Sequence, residues 1–375
     1  MKFAATCLFG LEKLLGEEID ALGLKRDKTI DGRVIFDGEV SDIPRLNINL
    51  RYAERVYIVL GVFPARTFTE LFDGTRALPF YDYIGKKDAF PVKGHSIKSA
   101  LASIPDCQSI VKKAAVEAMK DKYGVSYFEE TGVKYQIEFF ILKDEASVMI
   151  DTSGTTLHKR GYRPESNAAP LRETLAAALC KLAHIREDNL FWDPMCGSGT
   201  IAIEAALLMS NTAPGLARGF ISQEYPWIEK PDWDRAYEQA RDMIKRDCKF
   251  EAYASDTDPD CVRLTAENAR RAGMDKYIKA FEYDARNVQT YGRRGTIVCN
   301  PPYGERMMDK QSVAALYREL GAAFSKLGSW QIYVISSSDD LPRLFGRRPD
   351  KVRKLYNGMI KCNYYQFFKN KEINK

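Results

Sequence analysis

Asp193-Pro194-Met195-Cys196-Gly197-Ser198-Gly199-Thr200 and, later in the chain, Asn300-Pro301-Pro302-Tyr303 decide the reading of this sequence. Each follows an apolar run that reads as a buried strand, 189–192 before the first and 295–299 before the second. A glycine-rich turn leaving a strand lets backbone approach a ligand closely. An Asn-Pro-Pro-aromatic turn offers rigidly held hydrogen-bond acceptors beside an aromatic face. Gly197 and Gly199 open a helix over 201–209, but the third glycine of a dinucleotide fingerprint is missing, since Ile201-Ala202 follows.

Working outward, two more strands end in acids. The run 251–256 closes on Asp256, followed by Thr257, Asp258 and Pro259; 279–283 is followed by Asp284 and Ala285. Asp258 directly precedes a helix expected over 259–272 and reads as its N-cap. Strands and helices alternate to Ser338, the pattern of a parallel sheet covered by helices. A helix is expected from Pro170 to Leu182. The stretch 211–234, rich in Pro, Gly and Trp, reads as a long surface insertion. The final hairpin, 352–356 and 359–368, has Asn357-Gly358 as a type I′ turn signal.

The first half of the chain reads as two α+β modules. Leu11, Leu14, Leu15, Ile19 and Leu22 recur at helical spacing. A strand over 32–36, a helix over 43–50 and a strand over 55–60 follow. The second module has a helix over 69–84, a strand over 96–99, a helix over 109–123 and strands over 134–141 and 147–151. Between those last two, Lys143-Asp144-Glu145-Ala146 has the polarity of a hairpin turn. A linker with three cations, Lys159, Arg160 and Arg163, leads into the last part.

The 375 residues carry a net charge of +5, and 29% of them are charged, ordinary for a globular protein. Charge is unevenly placed: residues 1–165 hold 24 cations and 24 acids, while 343–375 holds ten cations and two acids. That tail is either solvated or in contact with phosphate. The N-terminus lacks a long apolar signal core and no run approaches a membrane span, so a cytoplasmic protein without membrane partners is expected. Eight scattered cysteines without a CxxC pair argue against disulfides and thiolate zinc. His95, His158 and His184 are isolated, so no metal site is expected.

These residues suit one chemistry. An acid at the strand end, Asp193, can accept from the ammonium of a methionine moiety, where a pyrophosphate would be repelled. Asp256 can accept from both ribose hydroxyls and Asp284 from an adenine amino group. Cys196 reads as a packed small residue of the turn. Asn300 and the Pro301 carbonyl can both accept from an exocyclic NH₂. That draws the nitrogen lone pair out of conjugation, and Pro301 and Pro302 hold the geometry beforehand. Tyr303 offers a face for a flipped base. Together they describe methyl transfer from S-adenosylmethionine (SAM) to an amine on a planar base; adenine N6, cytosine N4 and guanine N2 all present one.

The combination, with Arg160-Gly161-Tyr162-Arg163 and Ala169-Pro170-Leu171-Arg172-Glu173-Thr174-Leu175-Ala176-Ala177, resembles the THUMP-domain class I SAM-dependent RNA guanine-N2 methyltransferases, above all those of bacterial 23S ribosomal RNA. The resemblance covers nearly the whole chain. It implies an α/β fold: a Rossmann-like SAM-dependent methyltransferase domain (164–375) preceded by a ferredoxin-like module (1–65) and a THUMP RNA-binding domain (66–163). It implies Asp193, Pro194, Cys196, Gly197, Gly199, Thr200, Asp256, Thr257, Asp284, Ala285 and Asn300 around SAM, with Thr174 on a covering helix. Asn300, Pro301, Pro302 and Tyr303 would form the catalytic turn. Lys93, Lys98, Lys112, Lys113, Lys159, Arg160 and Arg163 are the candidate RNA contacts. The second methyltransferase domain that some bacterial relatives carry behind this one is not read here. A tRNA guanine-N2 methyltransferase is the alternative enzyme, a DNA adenine methyltransferase fits less well for want of a target-recognition domain, and a non-catalytic RNA-binding ribosome assembly factor is the alternative of another class.

Overall fold

The structure, a computed structural model, describes residues 1–164, 171–303 and 310–368. Pro170 and the last cations of the tail lie outside them. The N-terminal half runs β1 (Lys2–Thr6), α1 (Glu12–Ala21), β2 (Arg26–Ile30), β3 (Arg33–Asp37), α2 (Asp42–Asn49), β4 (Arg55–Pro64), α3 (Phe68–Arg76), β5 (Val92–Ile97), α4 (Ile104–Tyr123), β6 (Ile137–Leu142) and β7 (Glu145–Asp151). Its seven strands form one sheet in the order β2-β3-β1-β4-β7-β6-β5. β4 joins the two expected modules: its first half pairs antiparallel with β1, and most of its length with β7, around an irregularity between Val59 and Gly61.

The C-terminal half follows as α5 (Glu173–Leu182), β8 (Leu190–Asp193), α6 (Thr200–Met209), α7 (Lys230–Asp242), β9 (Ala252–Asp256), α8 (Pro259–Arg271), β10 (Ile278–Glu282), β11 (Gly295–Cys299), α9 (Lys310–Phe324), β12 (Gln331–Ser336), α10 (Leu341–Leu344), β13 (Lys351–Asn357) and β14 (Ile360–Phe367). Strand order is β10-β9-β8-β11-β12-β14-β13; β8 to β12 are parallel and the last hairpin is antiparallel. The chain adds β9 and β10 on one side of β8, then returns to the other side for β11. The carboxyl ends of β8 and β11 therefore flank a topological switch point, where open α/β sheets place their ligands. Both strands are buried along their length. That is the Rossmann-like fold expected from the sequence.

Several boundaries differ from the sequence reading. The helix expected over 69–84 stops at Arg76, and only Phe80–Asp82 turn again, as a 3₁₀ segment. A capping box between Thr67 and Glu70 fixes its start, and Pro79 cannot continue it. The strand expected over 96–99 lies earlier, at β5, because Lys98 takes a left-handed φ of 51°. α4 begins at Ile104 with Pro105 in its first turn. β2 is exposed along nearly its whole length and carries no apolar alternation, which hides it in the sequence. Lys143 and Asp144 both have positive φ, as a I′ turn needs, whereas the last hairpin turns on Gly358-Met359 with only the glycine positive.

The largest departure is 211–234, expected on the surface and found between the two halves. Ala213, Phe220, Tyr225, Ile228 and Trp233 are buried. Tyr225 stacks on Tyr135 at 4.3 Å and donates to Asp151 O, Trp227 donates to Tyr83 O, and Arg51 reaches Thr212 O. Aromatic residues here anchor the C-terminal half to the N-terminal half rather than meeting solvent.

Buried charge completes the junction. Arg160 is 3% exposed; it donates to the carbonyls of Leu157 and Arg51 and lies 3.5 Å from Glu204 of α6. Tyr162 donates to the same carboxylate at 3.0 Å. Arg163 pairs with Glu173 at 3.0 Å and donates to Thr200 Oγ1 at 2.7 Å. The two arginines expected to meet phosphate are thus structural. Arg160→Ala should lower stability by about 3–5 kcal/mol, since it strands Glu204 without its cation. Urea unfolding measures this, and a change below about 1 kcal/mol would return Arg160 to the surface role.

Candidate SAM and base site

The turn after β8 is held from behind by α8. Thr265 Oγ1 donates to Gly197 O at 3.0 Å and Asn268 Nδ2 to Ser198 O at 3.0 Å. Gly197 and Gly199 have φ of 53° and 80°, and a Cβ on Gly199 would stand 2.7 Å from Thr265 Cγ2. The second glycine therefore serves close packing against α8 as much as the turn. Cys196 is buried, its thiol 3.4 Å from Thr265 Oγ1 and pushed up by burial, so it is inert packing. Pro194 is buried. Thr200 is 4% exposed and its hydroxyl is taken by Arg163 and Ser198.

Asp193 is 1% exposed, and its Oδ1 has no hydrogen-bond partner among the described residues. Burial pushes its carboxyl up to about 8, against the lowering effect of the Met195 N–H; the nearby Asp256 charge also raises it. A buried acceptor without a donor is costly unless a ligand supplies one. Asp193 thus has what an ammonium-bearing ligand needs.

Asp256 accepts from Gly197 N at 3.0 Å and from Asp258 N at 3.1 Å, which leaves lone pairs of the carboxylate for hydroxyl donors. Thr257 is exposed, and Asp258 caps α8 by accepting from Asp260 N at 2.9 Å. Asp284 lies just beyond β10 with Ala285 buried behind it. Its carboxylate is occupied by Arg286, whose Nε lies 2.9 Å from each oxygen and which also reaches Glu319; Arg286 holds the carboxyl below its ordinary range. The sequence reading had not foreseen this pair. An adenine amine would share Asp284 with Arg286.

At the end of β11, Asn300 Oδ1 accepts from the Tyr303 hydroxyl. The oxygen keeps a second lone pair for an amine. The Pro302 carbonyl accepts from Tyr317 at 2.9 Å, and that hydroxyl also meets Ser336, so the proline turn is braced by α9 and β12. Burial raises the Tyr303 phenol well above its ordinary value, keeping it neutral. Thr174 faces away from the role given to its helix: its hydroxyl donates to Glu54 at 2.6 Å. That carboxylate also takes Arg172 and His158, each at 2.8 Å.

Among the RNA candidates, Lys93, Lys98, Lys113 and Lys159 are exposed. Lys112 is not free; it pairs with Glu130 and lies 3.4 Å over the Phe90 ring. Among the described residues no group of three His, Cys, Asp or Glu could hold a metal, and no helix is long and apolar enough to cross a membrane.

A parallel sheet with acids at successive strand ends, a glycine turn and an Asn-Pro-Pro-Tyr turn at its switch point defines a Rossmann-like SAM-dependent methyltransferase. Comparison with known proteins makes the class specific: the profile described as the RMKL-like methyltransferase domain matches residues 160–366, and the chain belongs to that family. The RlmL ferredoxin-like domain matches 2–57 and the THUMP domain 65–151. The chain is 43% identical over 366 residues to "Putative RNA methyltransferase YpsC" of Bacillus subtilis, covering 97% of this chain and 95% of that protein. It is 33% identical to "Ribosomal RNA large subunit methyltransferase K/L" of Vibrio campbellii, covering 96% of this chain but 52% of that one; it spans about half the length of such relatives. Among solved structures, SMU.472, "a putative methyltransferase complexed with SAH", matches with a TM-score of 0.92 and 39% identity, over 99% of this chain and 98% of that one. The protein is an RNA methyltransferase that uses SAM.

Asp193 gives a measurable signature. Its raised pKa means that the free protein holds the proton at neutral pH, so the contribution of this group to stability falls as pH rises from about 4 to about 8. Accepting from an ammonium requires ionisation. Binding of S-adenosylhomocysteine at pH 7 should therefore release roughly one proton, read by calorimetry in buffers of different ionisation enthalpy, and Asp193→Asn should abolish the release. A buffer-independent heat would remove Asp193 from the ligand's ammonium. Asp256→Ala should weaken the same ligand at least about tenfold by losing two charge-assisted bonds; unchanged affinity would take it out of the ribose site.

Proposed function

We propose that this protein methylates the exocyclic N2 amine of a guanine in RNA, with 23S ribosomal RNA as substrate. The carrying observation is Asn300 at the switch point, its proline turn braced by Tyr317, within one chain that also holds ferredoxin-like and THUMP domains. When bound, SAM supplies an electrophilic methyl group. Asn300 Oδ1 and the Pro301 carbonyl accept from the target amine and turn its lone pair outward, while the Tyr303 ring supports the base. To receive the amine, Asn300 shares the oxygen now taken by the Tyr303 hydroxyl or releases that hydroxyl. No base is needed before transfer, since the methylated cationic amine loses its proton readily.

We assign 1–65, 66–163 and 164–375 to the ferredoxin-like, THUMP and catalytic parts of a cytoplasmic enzyme. Lys93, Lys98, Lys113 and Lys159 are exposed candidates for phosphate contact. The ribosomal substrate draws support from the relative named for the large subunit. A guanine amine is paired within a helix, so the target must be unpaired or flipped.

Methyl label from SAM, incubated in parallel with protein-free 23S ribosomal RNA and with tRNA, is expected in the ribosomal RNA as N2-methylguanosine by nucleoside mass spectrometry. Label in N6-methyladenosine would overturn the base, and label only in tRNA would overturn the substrate. Asn300→Ala should reduce turnover by at least about a hundredfold while sparing S-adenosylhomocysteine affinity, because its bond is to the reacting amine. Transfer within about threefold of wild type would end that role.

A further inference from the structure

The last hairpin is longer than the sheet it joins. β14 pairs with β12 only as far as Ser336 opposite Asn363, yet the hairpin continues through Cys362, Lys361 and Ile360 to its turn at Gly358-Met359. At about 3.3 Å per residue, roughly 10 Å of two-stranded ribbon overhangs the carboxyl edge of the sheet, the edge that carries Asp193, Asp256 and Asn300. The overhang is beside the base site: the Cys362 thiol faces the Tyr303 phenol. One face of the ribbon, with Leu355, Cys362 and Tyr364, is buried in the core.

The other face has no such cover. Tyr356 lies directly opposite Lys361, and Lys354 sits two residues before it on the same face, its Nζ 5.5 Å from the Tyr356 ring. Phe9, 48% exposed, meets Tyr356 edge to face at 5.7 Å. Gly10 holds the Phe9 loop there: its φ is 92°, and a Cβ would stand 2.8 Å from Lys354 O. Met359 at the tip is 96% exposed. Between 351 and 361 there are four cations and no acid.

We infer that this overhang, Tyr356 and Phe9 with Lys354 and Lys361, is a docking platform for the single-stranded RNA that flanks the target nucleotide. The inference rests on the reading of the protein as an RNA methyltransferase and adds the surface that receives the strand. Aromatic faces beside lysines and next to the base pocket match a chain of stacked bases joined by phosphates, with Asp339, taken by Asn363 opposite Lys354, as the neighbouring acid on this side. Exposed aromatics on an apolar docking face for protein would not be interleaved with lysines in this way. The platform is built from both ends of the chain, so it exists only in the folded molecule.

A fluorescein-labelled uridine dodecamer tests the platform, and methyl transfer to protein-free 23S ribosomal RNA tests the reading beneath it. The paired change Phe9→Ala and Tyr356→Ala should weaken the dodecamer at least tenfold, with S-adenosylhomocysteine affinity kept as the measure of an intact fold. Lys354→Gln with Lys361→Gln touches only exposed side chains; it should weaken the dodecamer and reduce the slope of log affinity against log salt by between one and two. Equal dodecamer affinity and salt slope in wild type and the lysine variant, with wild type active on ribosomal RNA, would overturn the platform and leave the enzyme reading intact. A wild type that neither methylates nor binds RNA would end both. A dimer of the full chain that Tyr356→Ala dissociates, with RNA affinity unchanged, would give the face to a second copy instead.

Discussion

The carboxylate of Glu54 ties the molecule together. It lies directly before β4, the strand that unites the N-terminal sheet, and it accepts from His158 of the linker and from Arg172 and Thr174 at the start of α5. These donors outweigh the cost of burial and hold the carboxyl down at about 2, so it is charged throughout the physiological range. Its backbone is fixed as well, donating to Thr6 O and accepting from Leu157 N. One acid therefore links the N-terminal sheet to the first helix of the C-terminal half. Arg160, Glu204 and Tyr162 repeat the arrangement a little deeper, with all three buried.

Such a junction has a functional consequence. In the proposed reaction a flipped nucleotide would arrive at Asn300 while the rest of the RNA is held elsewhere, and the separation between the two is fixed only if the halves do not swing. Buried ion pairs are expensive to assemble, but they are specific in geometry, because a misplaced partner leaves an uncompensated charge. The aromatic segment around Tyr225 and Trp227 adds the apolar area that ion pairs cannot supply.

The site itself is preorganised by neighbours rather than by its own residues. α8 holds the glycine turn through Thr265 and Asn268, and Tyr317 holds the proline turn. None of these stood out in the sequence, though Thr265 and Asn268 share a helix face at i, i+3 spacing. Arg286 on Asp284 was equally silent, since an arginine two residues after an acid is commonplace until a strand end aims both at one crevice.

The sequence by itself determined the catalytic fold and the positions of its strand-end groups, because apolar runs, glycine turns and terminal acids are local features of the chain. It also marked the acceptor turn, where two prolines restrict the backbone regardless of context. What it misjudged was the destination of charge and aromatic surface. Arg160 and Arg163 sit in a glycine-containing linker and read as exposed, yet Glu204 and Glu173 draw them inside. Likewise 211–234 reads as a surface insertion, and its aromatics are buried by stacking on one another and on residues of the N-terminal half. Pairing between residues distant in sequence decides such cases, and burial then follows from which partners the fold brings within hydrogen-bond reach.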